Sequence, residues 1–241
     1  MKPTIKLLTL ALAVLGASSN AGAAVSFGAL DGLTYTASSG PLSQLIPDNN
    51  LSGVSYSLNF AQVGAALITG MSVSFTTSGG NNGDMYAYLA HGSSFVVLVN
   101  RIGRGAATPD GSATSGFSTF TLDSTVSLLT DAHAASGTAG AALGGAYAPD
   151  GRYILPTATA ATFDSTTRDA TFATLLGSDP NGSWTLFFAD AAAGGSLATL
   201  TSFSVVATVP EPVTWALIAF GTGFGAVQLG RYCCRRRASA G

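Results

Sequence analysis

The residues with chemistry to offer are few and of a narrow kind. Among 241 residues there are two histidines (His91 and His133), two cysteines (Cys233 and Cys234) and twelve carboxylates, of which eleven are aspartates and one is Glu211. Glycoside hydrolysis draws on a pair of Asp or Glu side chains. Here most aspartates stand in turn sequences such as Pro109-Asp110-Gly111, Pro149-Asp150-Gly151 and Asp179-Pro180-Asn181-Gly182, where a carboxylate ordinarily caps backbone amides. There is no G-x-S-x-G elbow, the histidines lie far apart in loop contexts, and zinc would need three or four His, Cys or carboxylate ligands. The expectation is a protein that is not an enzyme. Calcium fits the inventory better, because it accepts carboxylates and backbone carbonyls alike. Asp84, Asp123, Asp164 and Asp190 are its candidate ligands, on the expectation that a sandwich fold brings them together. No other cofactor is expected.

Charge narrows the partners. Between Ala24 and Val209 there are four arginines (Arg101, Arg104, Arg152 and Arg168), eleven aspartates, no lysine and no glutamate, a net charge of −7 where the whole chain carries −2. Phosphate backbones require a basic face, so nucleic acid is excluded as a partner. The same region contains no cysteine; its fold has no disulfide and must rest on a hydrophobic core. Its polar surface falls to Ser, Thr, Asn, Gly and Asp, residues that favour turns and strands over helices.

The elements that must position these groups read as strands. Apolar and polar side chains alternate at residues 54–58, in Met71, Val73 and Phe75, and at residues 85–89, 95–99, 117–122, 184–188 and 200–207, the period-2 pattern of half-buried strands. A further strand is expected at residues 33–36. Between them lie dense turn signals, including Gly79-Gly80-Asn81-Asn82-Gly83 and Gly194-Gly195-Ser196. Residues 131–145, rich in Ala, Gly, Ser and Thr, read as a long loop. Short strands with no helical run predict an all-β, antiparallel sandwich.

The two ends carry targeting signals. Lys2 and Lys6 precede an apolar run at residues 7–15, too short to span a bilayer, and Ala21-Gly22-Ala23 supplies a small-x-small cleavage pattern. A signal peptide over residues 1–23 is expected. At the other end, Val209-Pro210-Glu211-Pro212 precedes residues 213–230, which contain no charge and are long enough to cross a membrane as a helix. Arg231, Arg235, Arg236 and Arg237 follow and belong on the cytoplasmic side. Both ends therefore predict export of everything between them.

Pro-Glu-Pro, an apolar helix and a terminal arginine cluster, in that order and at that spacing, closely resemble the PEP-CTERM sorting signal. The resemblance covers residues 209–237. It implies recognition by an exosortase, an integral-membrane cysteine protease, in a Gram-negative bacterium that makes exopolysaccharide.

A second resemblance lies in the exported part. Gly182-Ser183-Trp184-Thr185-Leu186-Phe187-Phe188-Ala189-Asp190, a glycine turn, and then Leu200-Thr201-Ser202-Phe203-Ser204-Val205 resemble the end of the P domain of proprotein convertases, with Phe203 where that family usually has Trp. Gly83-Asp84-Met85 fits the family's G-D-L segment, residues 96–104 its following strand, and Tyr147-Ala148-Pro149-Asp150-Gly151 a later position. Over residues 52–208 this implies a jelly-roll β-sandwich of the galactose-binding-like type, with residues 24–51 as an N-terminal extension or first strand and residues 209–241 as the tail. In convertases the domain stabilises an adjoining protease and can bind calcium; no protease domain is present here. The expected function is an exported cell-surface or matrix protein, sorted through its tail and associated with exopolysaccharide or biofilm. The alternatives are a carbohydrate-binding module and an accessory module of a separate secreted protease.

Overall fold

The computed structural model describes residues 23–27, 33–60, 67–124 and 131–210. The expected signal peptide (apart from Ala23), Glu211, Pro212, the apolar segment 213–230 and the arginines at 231 and 235–237 lie outside the described residues. Among the described residues, no helix is long and apolar enough to cross a membrane.

Eleven strands form two sheets among the described residues: β1 (Ala23–Phe27), β2 (Leu33–Ser38), β3 (Gln44–Ile46), β4 (Asn50–Phe60), β5 (Gly70–Asn81), β6 (Met85–His91), β7 (Ser94–Asn100), β8 (Ser115–Asp123), β9 (Leu143–Tyr147), β10 (Gly182–Asp190) and β11 (Ala198–Val209). Seven pair in the order β1-β2-β11-β5-β8-β9, with β3 also on β11, and four in the order β4-β10-β6-β7. The two sheets pack face to face. Phe75 of β5 meets Phe188 of β10 edge-on at 5.1 Å between ring centroids, and Tyr56 of β4 meets Phe203 of β11 at 5.7 Å.

Alternation decides which side chains fill that interface. On β10, Trp184, Leu186 and Phe188 point inward and are at most 1% exposed, while Thr185 and Phe187 are half-buried on the other side. The same parity buries Met71, Val73 and Phe75 on β5, and Phe117, Phe120 and Leu122 from β8 join them. Each such aromatic or aliphatic side chain contributes on the order of 1.5–3 kcal/mol of burial.

The outer face of the larger sheet is paved with hydroxyls. Register places Ser38, Ser204, Ser74 and Thr121 in one row across β2, β11, β5 and β8, and Ser74 Oγ lies 2.9 Å from Thr121 Oγ1. That surface is what a region without lysine or glutamate has available for facing water.

Four expectations need correcting. The diglycine at 79–80 is not a turn: β5 continues through it to Asn81, with φ of +69° and +72° at a register shift between Thr77 and Asn81. A Cβ there would collide with the Leu197 carbonyl and the Met85 methyl, so glycine is required for the bulge. Residues 131–145 are not one loop, because a 3-10 turn forms at Ala132–Ala134 and β9 begins at Leu143. The β8–β9 pair is parallel, so the sheets are not wholly antiparallel. A short helix, α1 (Ala160–Ser165), also interrupts the all-strand pattern.

Candidate functional site

The four aspartates expected to share calcium do not converge. No three His, Cys, Asp or Glu side chains among the described residues form a group that could hold a metal ion. Asp123 ends β8 in the larger sheet, paired with Ser72. Asp164 sits on α1, where its carboxylate accepts the Ala106 amide at 2.9 Å. Only Asp84 and Asp190 are neighbours, and their environment is already occupied. Arg101 Nη2 donates to Asp84 Oδ1 at 2.9 Å and its Nε to the Gly83 carbonyl at 2.8 Å. Arg101 is 5% exposed, Asp84 7% and Asp190 1%. This ion pair ties the loop before β6 to the end of β7, while the Ala191 amide donates to the Asp84 carbonyl from the end of β10. Burial raises the Asp84 pKa despite Arg101. Burial also pushes Asp190 up to about 6, reinforced by the charges of Asp84 and Asp48 and opposed by the Ala192 amide and Arg101.

A second polar cluster forms around His133, which sequence alone leaves isolated. Its Nδ1 lies 3.0 Å from Asp150 Oδ2 and 3.2 Å from the Asn100 carbonyl, and its Nε2 lies 2.9 Å from the Arg104 carbonyl. All three partners are acceptors, so both ring nitrogens must donate, which only imidazolium does. The ring stacks on Phe163 at 5.7 Å, and the Arg104 guanidinium lies over the same phenyl ring. Asp150, fully buried, also accepts Arg152 Nη1 at 3.2 Å. An Asp–His pair suggests a relay to a nucleophile, but the outer nitrogen faces a backbone carbonyl. The geometry is that of a clamp.

Burial alone would lower the His133 pKa. The hydrogen bond that its ring donates to Asp150, and the Asp150 charge, outweigh that, against Arg152 and with the Arg104 carbonyl adding, so the imidazole is held above its ordinary value. A raised folded-state pKa means that the folded chain holds the proton more tightly than the unfolded one, so stability falls as pH rises. For Asp190 the contribution is full below pH ~4 and is lost as pH rises through about 6. For His133 the loss begins above pH ~6.5 and runs through its raised value. Asp179, lowered by the Asn181 amide and side chain, acts oppositely but only below pH ~4. Thermal melts of the full chain are expected to give a Tm that declines from about pH 5 to about pH 8, and His133→Gln is expected to flatten only the upper part. A Tm that rises over this interval contradicts both assignments.

The outer face of the smaller sheet differs from the hydroxyl face of the larger one. Phe187 of β10 is in register with Tyr88 of β6, and their rings stack at 4.8 Å and 18°. Tyr86 lies 6.0 Å from Tyr88, Phe95 of β7 lies 6.2 Å from Tyr88, and Tyr153 packs on Phe95 at 4.9 Å. Tyr153 is 68% exposed. The backbone on either side of it is tied to β7, because the buried Asn100 Nδ2 donates to the carbonyls of Arg152 and Ile154. Beside the rings, Ser57 Oγ and Thr185 Oγ1 lie 2.8 Å apart. Burial pushes the Tyr86 phenol up to about 12, helped by Tyr88, Tyr153 and Asp150, so its hydroxyl stays protonated. Among the described residues, no hydrogen bond occupies the hydroxyls of Tyr86, Tyr88 or Tyr153. Alternation along residues 184–188 puts Phe187 on the side opposite Trp184, Leu186 and Phe188 but does not assemble the row; aromatics at the water-facing parity of neighbouring strands are the available signal.

Of Val209-Pro210-Glu211-Pro212, expected from the sequence to be a sorting motif, Val209 and Pro210 are described. Val209 closes β11, paired with Leu33 and 1% exposed, and Pro210 follows immediately outside the strand. Lacking an N–H, proline cannot extend the ladder.

No family model and no curated protein matches this chain. Among solved structures it is similar to one described as the complex of the Aeromonas sobria serine protease and the chaperone ORF2, at 10% identity and a TM-score of 0.39. The similarity covers 81% of this chain but only 28% of the length of that one.

Proposed function

We propose that this chain is an exported, non-catalytic β-sandwich domain of the bacterial cell surface, delivered by a PEP-CTERM-type tail to an exosortase and retained in or on the exopolysaccharide layer. The observation that carries the reading is the junction: the last strand of the larger sheet ends at Val209, and the Pro-Glu-Pro sequence starts at the next residue. Folded domain and sorting sequence therefore abut without a linker, and the membrane segment at 213–230 follows directly. The acidic surface and the polar neutralisation of His133 and Asp84 by structural partners fit a domain that binds rather than reacts. Kinship to the P domain, with jelly-roll connectivity, belongs to the same proposal and is supported by the sequence from Gly182 to Asp190.

The test is processing in vivo. Expressed in an exopolysaccharide-producing bacterium with and without its exosortase, the chain is expected to lose its C-terminal segment only when the protease is present. Replacing Pro210, Glu211 and Pro212 by alanine should leave the tail on and the protein in the inner membrane. Identical processing of the variant, or processing that is indifferent to the exosortase, would sink the reading.

A further inference from the structure

We propose that the sandwich rests by one end, the end carrying Leu67 and Leu176, on the lipid surface of the bilayer that holds its tail. The proposal deepens the reading above and rests on it for one thing, that residues 213–230 lie in that bilayer.

The end in question is where β4 and β8 stop, β5 and β10 start and β11 runs out: Gly182 lies opposite Phe60, Asp123 opposite Ser72 and Thr208 opposite Gly70. Backbone bonds tie its segments together. The Thr69 amide donates to the Thr208 carbonyl at 2.8 Å, the Ile68 amide to the Ser178 carbonyl at 3.0 Å, and the Gly177 amide to the Ile68 carbonyl at 2.9 Å. Within this junction Ile68 and Leu175 take the core positions, 2% and 0% exposed. Their chain neighbours Leu67 and Leu176 are left facing out, 57% and 39% exposed. Neither leucine can turn inward without breaking the bonds that seat Ile68.

Exposed leucines occur singly on many surfaces; covalent reach is what gives these two an occupant. Val209, 1% exposed, closes β11 beside Thr208. Only Pro210, Glu211 and Pro212 separate it from the uncharged segment. Four peptide steps extend at most roughly 14 Å. With that segment in the hydrocarbon core, the junction of residues 67–69, 176–178 and 208–209 is confined to the headgroup layer or its immediate margin. An apolar side chain kept there gains by burying itself at the boundary between headgroups and acyl chains.

The far end of the sandwich is the internal contrast. Leu197, 59% exposed, directly precedes β11. The length of that strand, Ala198–Val209, places it roughly 35–40 Å from Val209. It is as apolar as Leu67 and out of reach of the bilayer while the near end is seated. Charge then narrows the lipid. No lysine or arginine stands at residues 67–70, 171–182 or 203–210, and Asp179 follows closely on Leu176. Anionic headgroups therefore find no basic partner here, and the contact is apolar.

The full chain, carrying Cys233→Ser and Cys234→Ser, is to be reconstituted into phosphatidylcholine vesicles with an environment-sensitive fluorophore on the thiol of Leu176→Cys or of Leu197→Cys. Flotation with the vesicles reports the tail, and quenching by lipids spin-labelled near the headgroup reports the contact. Quenching at position 176 and not at position 197 is expected, unchanged by raised salt. Adding Leu67→Ser, at an exposed position, should lower the seated-to-free ratio read from that quenching at least about fivefold without lowering Tm. Equal quenching at the two positions overturns the proposal, as does quenching that requires anionic lipid or is indifferent to Leu67→Ser. A chain that floats without quenching at position 176 faults the contact alone. A chain that does not float faults the tail reading, and the contact with it.

Discussion

Replacing Trp184 with alanine is expected to cost about 3–5 kcal/mol of stability. The indole is fully buried between the sheets, with Phe60 edge-on at 6.1 Å and the His91 ring stacked on it at 3.9 Å. Its Nε1 donates to the Pro180 carbonyl at 2.9 Å, closing the loop that leads into β10. His91 is fixed over the indole by the carbonyls of Ser183 and Asp179. Alanine would leave a cavity the size of the ring system, a carbonyl without its donor and an imidazole without its platform. A domain of this kind has a total stability of roughly 5–15 kcal/mol, so the loss is a large share of it. Urea melts would show it as a lower midpoint with an unchanged slope. Trp184→Phe restores most of the volume but not the donor, and should recover most of the loss. A Trp184→Ala variant that melted like the parent would mean that the two sheets do not close over this side chain.

Removing the cation of the buried ion pair comes next in size. Arg101→Met is expected to cost about 3–5 kcal/mol at neutral pH, because it strands the Asp84 carboxylate beside Asp190 at positions with almost no access to water. The Gly83 carbonyl loses its donor as well. The deficit should shrink as pH falls, since protonating Asp84 or Asp190 removes the uncompensated charge. Arg101→Met combined with Asp84→Leu should regain most of the loss, since an apolar pair in place of a buried ion pair is commonly neutral or better. Chemical denaturation of the three proteins at about pH 5 and about pH 7 decides the matter. If the single variant loses nothing at the higher pH, Arg101 is not neutralising a buried charge.

Period-2 alternation was a reliable guide wherever a strand had one face in the core. Met71, Val73 and Phe75, or Trp184, Leu186 and Phe188, announce both the strand and its buried side. It fails where the buried face is made of small residues. The β9 sequence Leu-Gly-Gly-Ala-Tyr has one apolar anchor at each end and nothing between, and β3 is three residues long. Such strands exist because a neighbour offers an open edge, which is information the segment itself does not hold. Gly79-Gly80 has the composition of a turn, and only the close approach of residues 197–198 and Met85 shows that it is a bulge.

The polar groups were harder still. Asp150 reads as a turn residue and His133 as a loop residue, and what joins them is a contact between segments seventeen residues apart that folds over Phe163. Asp84 and Asp190 do become neighbours, but Arg101, which reads as the end of a strand, reaches them first. A list of aspartates cannot show which of them an arginine has already neutralised. The aromatic row was legible in principle, since Tyr86, Tyr88 and Phe187 all stand at the water-facing parity of their strands.

The position of β11 also governs how the chain folds. This strand, the last in sequence among those described, lies inside the larger sheet and pairs with β2, β3 and β5. Its partners precede it by more than a hundred residues, as Phe203 beside Phe75 illustrates. Pairings so distant in sequence must overcome loop-closure entropy before they contribute anything, and they slow folding. Until residue 198 and those after it are available, β2 and β3 have no common neighbour to join them to β5. Closure of the larger sheet therefore waits for this strand, and a chain still being synthesised keeps that sheet open until the residues just before Pro210 are available.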